Sequence, residues 1–265
     1  MSIDPSAKIH PSAVVEEGAV IGPDCQIGPF AMIGPEVTLG RGVVVKSHGV
    51  VTGWTDVGEE TVVFSFAVVG EVPQDLKFRG ERTRLIVGKR NRIREGATLN
   101  TGTEGGGGVT QIGDDCLLMT GSHVGHDARL GDRVILANQA AIAGHCQLGD
   151  DVIVGGLSGV HQWVRVGRGA IIGAVTMVTN DVLPHGLVQG PRGVLDGLNL
   201  VGLKRRGVDR AEITALRAGY QMLAQGDGSF LDRARRLADE TDSVHVREMT
   251  DFILSASDRS FLTPK

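Results

Sequence analysis

The chain has 265 residues, enough for one large domain or for a domain with an appendage. Its formal net charge of −4 at pH 7 gives no reason to expect nucleic acid or an anionic membrane surface as a partner. Aromatic residues make up only 4% of the sequence, whereas glycine occurs 39 times. This composition argues against a bulky aromatic core and favours many similar turns stacked around small and branched side chains.

Targeting signals and cysteines point to a reducing compartment. Residues 1–15 contain no apolar core of a signal peptide, and no run of 18 apolar residues predicts a membrane span. The three cysteines, Cys25, Cys116 and Cys146, are an odd number. We therefore expect free thiols and a cytoplasmic location.

A six-residue repeat runs through most of the chain. An aliphatic residue recurs at every sixth position over residues 3–69 and 87–99, and again, one residue out of phase, over residues 112–178. These positions define 27 hexads. Four residues after most of the aliphatic positions lies a second column of small residues, and all three cysteines fall in it. We interpret these cysteines as small buried fillers, because a buried thiol behaves as a small hydrophobe.

The period of six is neither helical nor a plain strand alternation. Two inward residues per hexad, with a turn between them, fit a prism of short parallel strands in which three hexads make one coil. The 27 hexads then predict nine coils. The pattern resembles that of the hexapeptide-repeat proteins, which form left-handed helices although most parallel crossovers are right-handed. The resemblance implies an all-β, left-handed parallel β-helix over residues 1–183 and a side-by-side homotrimer.

Two segments interrupt the repeat. Residues 71–86 contain charges and a proline, and residues 101–111 contain a run of glycines. Loops that leave a rigid scaffold often carry function, and we favour a functional role for the first loop over a tolerated surface insertion.

Residues 184–265 are predicted to form a C-terminal α-helical domain. Asp209 and Glu212 have the spacing of a capping box, and apolar residues at helical spacing follow them. Residues 229–240 and 243–256 are predicted to form two further helices.

A basic cluster precedes these helices, at Lys204, Arg205 and Arg206. Such a cluster in an acidic chain suits a phosphate or an acidic protein partner. The alternative is the solvated end of a helix, where cations are favoured in any case.

Four of the eight histidines lie between residues 123 and 161. Because one coil spans 18 residues, positions 126, 144 and 162 should stack at a spacing of ~4.8 Å. We therefore expect His126, His145, His161 and Gln162 on one stripe of the prism, with their side chains directed outward.

Three interpretations of these histidines remain open. In the first, His126 is a general base whose ring Asp127 orients. In the second, the histidines bind zinc as in the β-helical carbonic anhydrases, but the close pair here has the spacing His-x-x-His and the supporting carboxylates are not evident. In the third, they are exposed polar residues on a ladder edge, which their clustering on one stripe disfavours.

Five segments resemble the UDP-N-acetylglucosamine acyltransferases of lipid A biosynthesis: EVPQDLK, CLLMTGSHVGHD, LANQAAIAGH, VHQW and LNLVGLKRRG. The likeness covers the whole chain. It implies transfer of a (3R)-3-hydroxyacyl group from acyl carrier protein to the glucosamine 3-OH of UDP-N-acetylglucosamine, the first step of lipid A biosynthesis. It also implies that no metal or other cofactor is needed, because the thioester on the carrier's phosphopantetheine is already activated.

The resemblance assigns roles to individual residues. His126 matches the catalytic base, Asp127 its supporting residue, and Gly144 the backbone N–H that stabilises the oxyanion. The positions that contact sugar and acyl chain are matched by Asp75, Lys77, His123, His145, His161 and Gln162. Those near the nucleotide and diphosphate are matched by Asn199, Arg205 and Arg206, and the carrier protein would contact Lys204, Arg205 and Arg206. Sites in the family lie between subunits, which would bring the loop of Asp75 beside the histidines.

Several positions depart from the family pattern. Asn100 and Thr101 stand where IHRGT is common, and these changes leave open a UDP-2-acetamido-3-amino sugar as acceptor, with an amide product. Val201 and Arg192 replace a common Glu and His, which leaves details of nucleotide binding open. Ala174 matches the position that measures acyl length, and as a small residue it predicts a chain of middle length.

Other activities remain as alternatives. One is the later N-acyltransferase of the same pathway, which usually carries an N-terminal uridine-binding domain for which hexads beginning at Ile3 leave no room. The others are a metal-dependent β-helix hydratase and a purely structural β-helix.

Overall fold

The hexads fold into the predicted left-handed parallel β-helix. A computed structural model describes residues 2–257 and 259–264. Each hexad contributes one short strand, which ends at its aliphatic residue in all cases but β12 and β15, so that 27 strands complete nine coils. These strands are β1 Ser2–Ile3, β2 Lys8–Ile9, β3 Val14–Val15, β4 Val20–Ile21, β5 Gln26–Ile27, β6 Met32–Ile33, β7 Thr38–Leu39, β8 Val44–Val45, β9 Val50–Val51, β10 Trp54–Val57, β11 Val62–Val63, β12 Val68–Glu71, β13 Arg84–Val87, β14 Arg92–Ile93, β15 Thr98–Asn100, β16 Val109–Ile112, β17 Leu117–Leu118, β18 His123–Val124, β19 Arg129–Leu130, β20 Ile135–Leu136, β21 Ala141–Ile142, β22 Gln147–Leu148, β23 Ile153–Val154, β24 Gly159–Val160, β25 Arg165–Val166, β26 Ile171–Ile172 and β27 Met177–Val178.

The strands stack into three parallel sheets that form the faces of the prism. The first face is β1-β4-β7-β10-β13-β16-β19-β22-β25, and the other two follow the same every-third-strand order. Aliphatic residues such as Ile33, Leu99 and Ile142 point inward and are fully buried. The small-residue column lies inside the turns, where Cys25, Cys116 and Cys146 are buried as predicted. Burial raises the pKa of the Cys116 and Cys146 thiols to about 12, so neither is a reactive thiolate at neutral pH.

Both interruptions leave the prism at the corner between its third and first faces. One lies between β12 and β13 and the other between β15 and β16. The same corner carries His126, His145 and Trp163 in the coils that follow, since these residues lie between β18 and β19, β21 and β22, and β24 and β25. The stacking of coils therefore brings the two loops and the histidines together within one chain.

The segment directly after the ninth coil is not helical, which corrects part of the prediction for residues 184–265. A tenth coil begins at the parallel bridge between Val166 and Val182 and continues with β28, Gly186–Gln189, which pairs in parallel with β26. Strand β29, Val194–Leu198, pairs with β28 in antiparallel orientation. The helices begin only at residue 200. They are α1 Leu200–Arg205, α2 Arg210–Ala224, α3 Phe230–Glu240 and α4 Val244–Leu254.

The predicted capping box at the start of α2 does not form. Asp209 is the N-cap of α2, but its side chain makes no capping hydrogen bond, and Glu212 instead accepts a hydrogen bond from Ser243 Oγ at 2.6 Å. A capping box is present at α3, where Ser229 and Asp232 exchange hydrogen bonds. Among the helices that the structure describes, none combines the length and the hydrophobicity needed to cross a bilayer.

Candidate active site

His126 and Asp127 form a hydrogen-bonded pair at the loop-bearing corner. His126 Nδ1 lies 2.8 Å from Asp127 Oδ2, and the two side chains are only 8% and 1% exposed. Because a carboxylate can only accept, Nδ1 carries the proton and Nε2 keeps its lone pair. A neutral imidazole with a free Nε2, held by a buried carboxylate, has the geometry of a general base.

The second loop, which spans residues 101–108 because the predicted residues 109–111 belong to β16, fixes the carboxylate of this pair. The backbone N–H of Thr103 donates to Asp127 Oδ1 at 2.9 Å, and Thr103 Oγ1 donates to Oδ2 at 2.6 Å. The loop comes close enough that a Cβ built on Gly106 would lie 2.2 Å from the carboxylate, so the position requires glycine. His126 does point outward from the prism, as expected, but its side chain is not exposed to solvent because this loop buries the pair.

Gly144 lies one coil further along, directly against the ring of His126. A Cβ built on Gly144 would lie 2.6 Å from both Cε1 and Nε2 of His126. Early coils carry proline at the equivalent turn position, for example Pro11 and Pro23, so the coil does not need an N–H there. The N–H of Gly144 is consequently available to a ligand beside Nε2, which supports the predicted oxyanion role.

Two further histidines surround the pair. The ring of His145 packs edge-on against His126, with centroids 4.8 Å apart, and His123 Nδ1 lies 2.8 Å from Thr98 Oγ1. Burial lowers the pKa of His123, and the proximity of a second titratable ring, His126, lowers it further. Burial also lowers the pKa of His145, although Asp127 opposes the shift. Both rings are therefore neutral at pH 7.

The stripe beyond His145 differs from the prediction. Trp163, which sequence reasoning missed as a site residue, stacks on His145 with centroids 3.8 Å apart and planes 4° apart. His161 and Gln162 are exposed neighbours in the same turn, where Arg259 of the C-terminal tail donates to His161 Nδ1 at 2.8 Å and to the carbonyl oxygen of Gln162. The 18-residue spacing itself holds, because Trp163 lies 18 residues after His145 and shares its left-handed corner conformation. The side chain that continues the stripe is therefore one residue beyond the predicted Gln162.

The first loop lies near the histidines of the same chain. Asp75 and Lys77 both contribute to the electrostatic environment of His145 in the same chain. Asp75 Oδ1 accepts a hydrogen bond from the backbone N–H of Lys77 at 2.9 Å, and Lys77 is exposed. The family-based expectation that this loop comes from a neighbouring subunit is thus not needed to explain its proximity.

Asn100 and Thr101 are buried structural residues in this chain. Asn100 Nδ2 donates to the carbonyl oxygens of Val72 at 2.9 Å and Glu71 at 3.3 Å, and Thr101 Oγ1 accepts from Thr83 Oγ1 at 3.2 Å. These contacts anchor the first loop. Asn100 Oδ1 is buried and has no hydrogen-bond partner among the residues that the structure describes.

The residues predicted to contact nucleotide and carrier protein lie around the short helix α1. Asn199 is buried and caps α1, since its Oδ1 accepts from Gly202 N at 2.9 Å and its Nδ2 donates to Gly169 O at 3.0 Å. Lys204, Arg205 and Arg206 are exposed at the end of α1. Arg206 also contacts His185, with Nη2 3.3 Å from Nδ1.

Three positions from the sequence comparison lie away from these contacts. Val201 and Arg192 are exposed, and Ala174 is exposed in a turn between the second and third faces of the prism, a different corner from His126. Within one chain the structure does not bring Ala174 to the catalytic pair.

The donor atoms of His126, Asp127 and His145 lie within 4.8 Å of one another, close enough to hold a metal ion. The carboxylate, however, already accepts hydrogen bonds from His126 and from both the N–H and the hydroxyl of Thr103. With both of its oxygens engaged in this way, the arrangement suits a hydrogen-bonded base better than a cation site.

Comparisons with known proteins identify the family to which this chain belongs. A family model described as UDP N-acetylglucosamine O-acyltransferase, domain 2, matches residues 181–262, and the model of the bacterial transferase hexapeptide matches residues 18–53 and 110–144. The acyl-[acyl-carrier-protein]–UDP-N-acetylglucosamine O-acyltransferase of Paracoccus denitrificans is 70% identical over 204 residues, 77% of this chain and 77% of that protein. Its counterpart in Caulobacter vibrioides is 51% identical over 225 residues, 84% of this chain and 86% of that protein.

Solved structures give the same result. The UDP-N-acetylglucosamine acyltransferase from Campylobacter jejuni has a TM-score of 0.92 at 39% identity, covering 97% of this chain and 100% of that chain. The Arabidopsis enzyme has a TM-score of 0.82 at 32% identity, covering 96% and 99%. The chain belongs to the UDP-N-acetylglucosamine O-acyltransferase family.

Proposed function

We propose that this chain is an acyl-[acyl-carrier-protein]–UDP-N-acetylglucosamine O-acyltransferase. It moves a (3R)-3-hydroxyacyl group from acyl carrier protein to the 3-OH of UDP-N-acetylglucosamine, the first step of lipid A biosynthesis. The relatives named above support the reaction. The observation that carries the proposal is the buried His126–Asp127 pair with Gly144 against the free Nε2.

The geometry suggests how the pair acts. Nε2 of His126 takes the proton of the acceptor hydroxyl as its oxygen attacks the thioester carbonyl carbon, while Asp127 stabilises the imidazolium that forms. A positioned base of this kind contributes typically ~10²–10⁴-fold to the rate. The N–H of Gly144 donates to the oxyanion of the tetrahedral intermediate. The C–S bond then breaks, and the thiolate that leaves takes a proton from the imidazolium.

The neighbouring histidines do not oppose the proton transfer. Because the pKa values of His123 and His145 are lowered, neither ring carries a positive charge that would repel the imidazolium formed at His126. Their ring nitrogens remain able to donate or accept hydrogen bonds to the sugar or the acyl group. Asp75 and Lys77 of the first loop are the further substrate-contacting residues in this proposal.

The partners are proposed from the exposed surface. The cations at the end of α1, Lys204, Arg205 and Arg206, suit both a diphosphate and an acidic carrier protein. The thioester is already activated, so we assign no cofactor. The three buried free cysteines fit a reducing compartment, and we propose the cytoplasm.

We also propose that the chain works as a homotrimer. Phe30, His48 and Phe66 form an exposed ring stack along one corner of the prism, with centroids 5.1 Å and 5.0 Å apart. Phe30 and Phe66 are 62% and 65% exposed. Adjacent apolar side chains with this much exposure are typical of a protein–protein contact surface. Leu157 and Val175 continue this corner, and Ala174 lies beside Val175, so side-by-side packing could bring the acyl-length position to a neighbour's base.

The first experiment is a product analysis. The protein is incubated with 3-hydroxyacyl carrier proteins of several chain lengths and with UDP-N-acetylglucosamine or its 3-amino analogue, and the products are identified by mass spectrometry. We expect an ester on the hydroxyl sugar and a chain of middle length. An amide as the sole product would overturn the proposed acceptor.

The matched variants are His126→Ala and His10→Ala. His126→Ala should abolish turnover while the protein remains a folded trimer by light scattering and circular dichroism. His10→Ala changes an exposed histidine of the first coil and should keep full activity. Substantial turnover by a folded His126→Ala variant would refute the role of the base.

A further inference from the structure

Two histidines and a glutamate converge where the helical region packs on the β-helix. His185 lies in the turn after the ninth coil, directly before β28, and its side chain is 1% exposed. His245 and Glu248 lie three residues apart on α4, so both side chains point from the same face of that helix. The cluster therefore joins a residue of the β-helix to two residues of the C-terminal region, outside the His126 site.

The distances within this cluster are those of metal ligands. Glu248 Oε2 lies 3.2 Å from His185 Nε2 and 3.8 Å from His245 Nδ1, and all three atoms lie within 4.8 Å of one another. A tetrahedral ion with bonds of ~2.0–2.1 Å places its ligand atoms roughly 3.4 Å apart. Small side-chain rotations would give all three atoms such bonds to one ion.

One of the three atoms has no other partner. His245 Nδ1 is buried and makes no hydrogen bond within the part of the chain that the structure describes. An unpaired buried ring nitrogen costs free energy, which a coordinate bond would recover. This is an observation independent of the clustering, and it points to a ligand on this atom.

The surroundings hold the carboxylate in place. Arg168 Nε contacts the other oxygen of Glu248, Oε1, at 3.2 Å, so that Oε2 is left facing the two histidines. Glu248 and Arg168 line a groove of about 610 Å³ on the surface of the first face. The groove therefore reaches the cluster on the side of its carboxylate.

We propose that His185 Nε2, His245 Nδ1 and Glu248 Oε2 form a binding site for a divalent transition metal ion of the zinc type. Two imidazoles and one carboxylate are a ligand set that zinc accepts. The ion would clamp α4 to the last coil of the β-helix. Its role is structural, because none of its ligands contacts the His126 pair.

Binding must change the contact between His185 and Arg206. At present the guanidinium of Arg206 donates to Nδ1, which places the ring proton on Nε2, where it faces Glu248. The metal replaces the Nε2 proton, which leaves to solvent, and Nδ1 takes up a proton in exchange. An Nδ1–H cannot accept from Arg206, so metal binding releases this side chain.

The test uses the full-length protein after treatment with a chelator. Co²⁺ and Zn²⁺ are added separately; binding is followed by calorimetry and, for Co²⁺, by its visible absorption, and the thermal midpoint is measured with and without Zn²⁺. We expect one tight ion per chain, the absorption bands of a low-coordinate cobalt site, and a higher midpoint with Zn²⁺. No binding of either ion would overturn the proposal.

Variants locate the ion. His245→Ala is the informative change, because the side chain is 24% exposed and alanine favours the helix, so folding should be retained. We expect a loss of at least about tenfold in affinity, and the same for Glu248→Gln. His10→Ala and His145→Ala should bind as the wild type does. Unchanged binding in His245→Ala, or loss in His145→Ala, would refute this site.

Arg206→Gln tests the proton exchange. Its uncharged side chain no longer opposes the metal-bound form of His185, so binding should be as tight as in the wild type or tighter. Weaker binding in this variant would contradict the proposed ligand arrangement.

Discussion

Replacing Gly144 by alanine tests whether acyl transfer depends on the exact position of the His126 imidazole. The backbone φ of Gly144 lies outside the left-handed region, so alanine is compatible with the turn. Its Cβ, however, would lie 2.6 Å from both Cε1 and Nε2 of His126, where nonbonded heavy atoms prefer about 3.5 Å or more. The ring must therefore move by roughly 1 Å, and its 2.8 Å bond to Asp127 must stretch.

A displacement of this size at a catalytic group costs about 10²-fold in rate. We expect kcat for acyl transfer, measured by mass spectrometry with saturating substrates, to fall by about that factor, with little change in the thermal midpoint. Gly156→Ala is the matched control, because Gly156 occupies the same turn position at the corner between the second and third faces and its Cβ would meet only Asn138 O, at 3.3 Å. Light scattering checks that this variant keeps the oligomeric state of the wild type. A Gly144→Ala variant with kcat within tenfold of the wild type would refute the reasoning, as would an equal loss in Gly156→Ala.

Three further substitutions probe the site and its scaffold. Asp127→Asn should lower kcat by about 10²–10⁴-fold without unfolding, because an amide can no longer fix the Nδ1–H form of His126 or accept both hydrogen bonds from Thr103. A pH–rate profile of kcat measures this effect, and near-normal turnover would exclude the supporting role of Asp127. Asp181→Ala should lower the free energy of unfolding by about 3–5 kcal/mol, because the guanidinium of Arg165, whose side chain is only 13% exposed, loses its carboxylate partner. Urea denaturation measures the loss, and a change under 1 kcal/mol would contradict this expectation. The pKa of His145 is lowered by folding, so the unfolded chain binds the proton at higher pH than the folded chain does, and stability should fall as the pH drops through about 6.5. His145→Gln should make this fall shallower. Thermal midpoints of both proteins from pH 8 to pH 5 test this, and parallel curves would disprove it.

The site depends on loops more than on the repeat. The β-helix supplies His126 and Gly144 at neighbouring coils, which fixes their separation through the spacing of parallel strands. The second loop then buries the pair and supplies Thr103, which fixes the carboxylate. A rigid scaffold with an added loop thus produces a base in a setting from which most water is excluded, although every catalytic residue lies on the outside of the prism.

The regular part of this protein was predictable from its sequence. Because each hexad folds through contacts with its neighbours at a fixed spacing, the period gave the 27 strands, the nine coils and the inward columns, including the buried cysteines. The family resemblance supplied the handedness and the roles of His126, Asp127 and Gly144. Helices α3 and α4 were also predicted, with bounds within two residues of those observed.

Contacts between residues distant in sequence were decided only by the tertiary structure. The burial of His126 depends on a loop that begins 25 residues earlier, and no local pattern states where that loop folds. Trp163 rather than His161 stacks on His145, because the corner conformation, and not the residue type, sets which side chain continues the stripe. Glu212 caps no helix of its own but binds Ser243 across a helix interface. Likewise, His185 meets His245 and Glu248 only because α4 folds back on the last coil, a packing choice that depends on summed burial and not on local sequence.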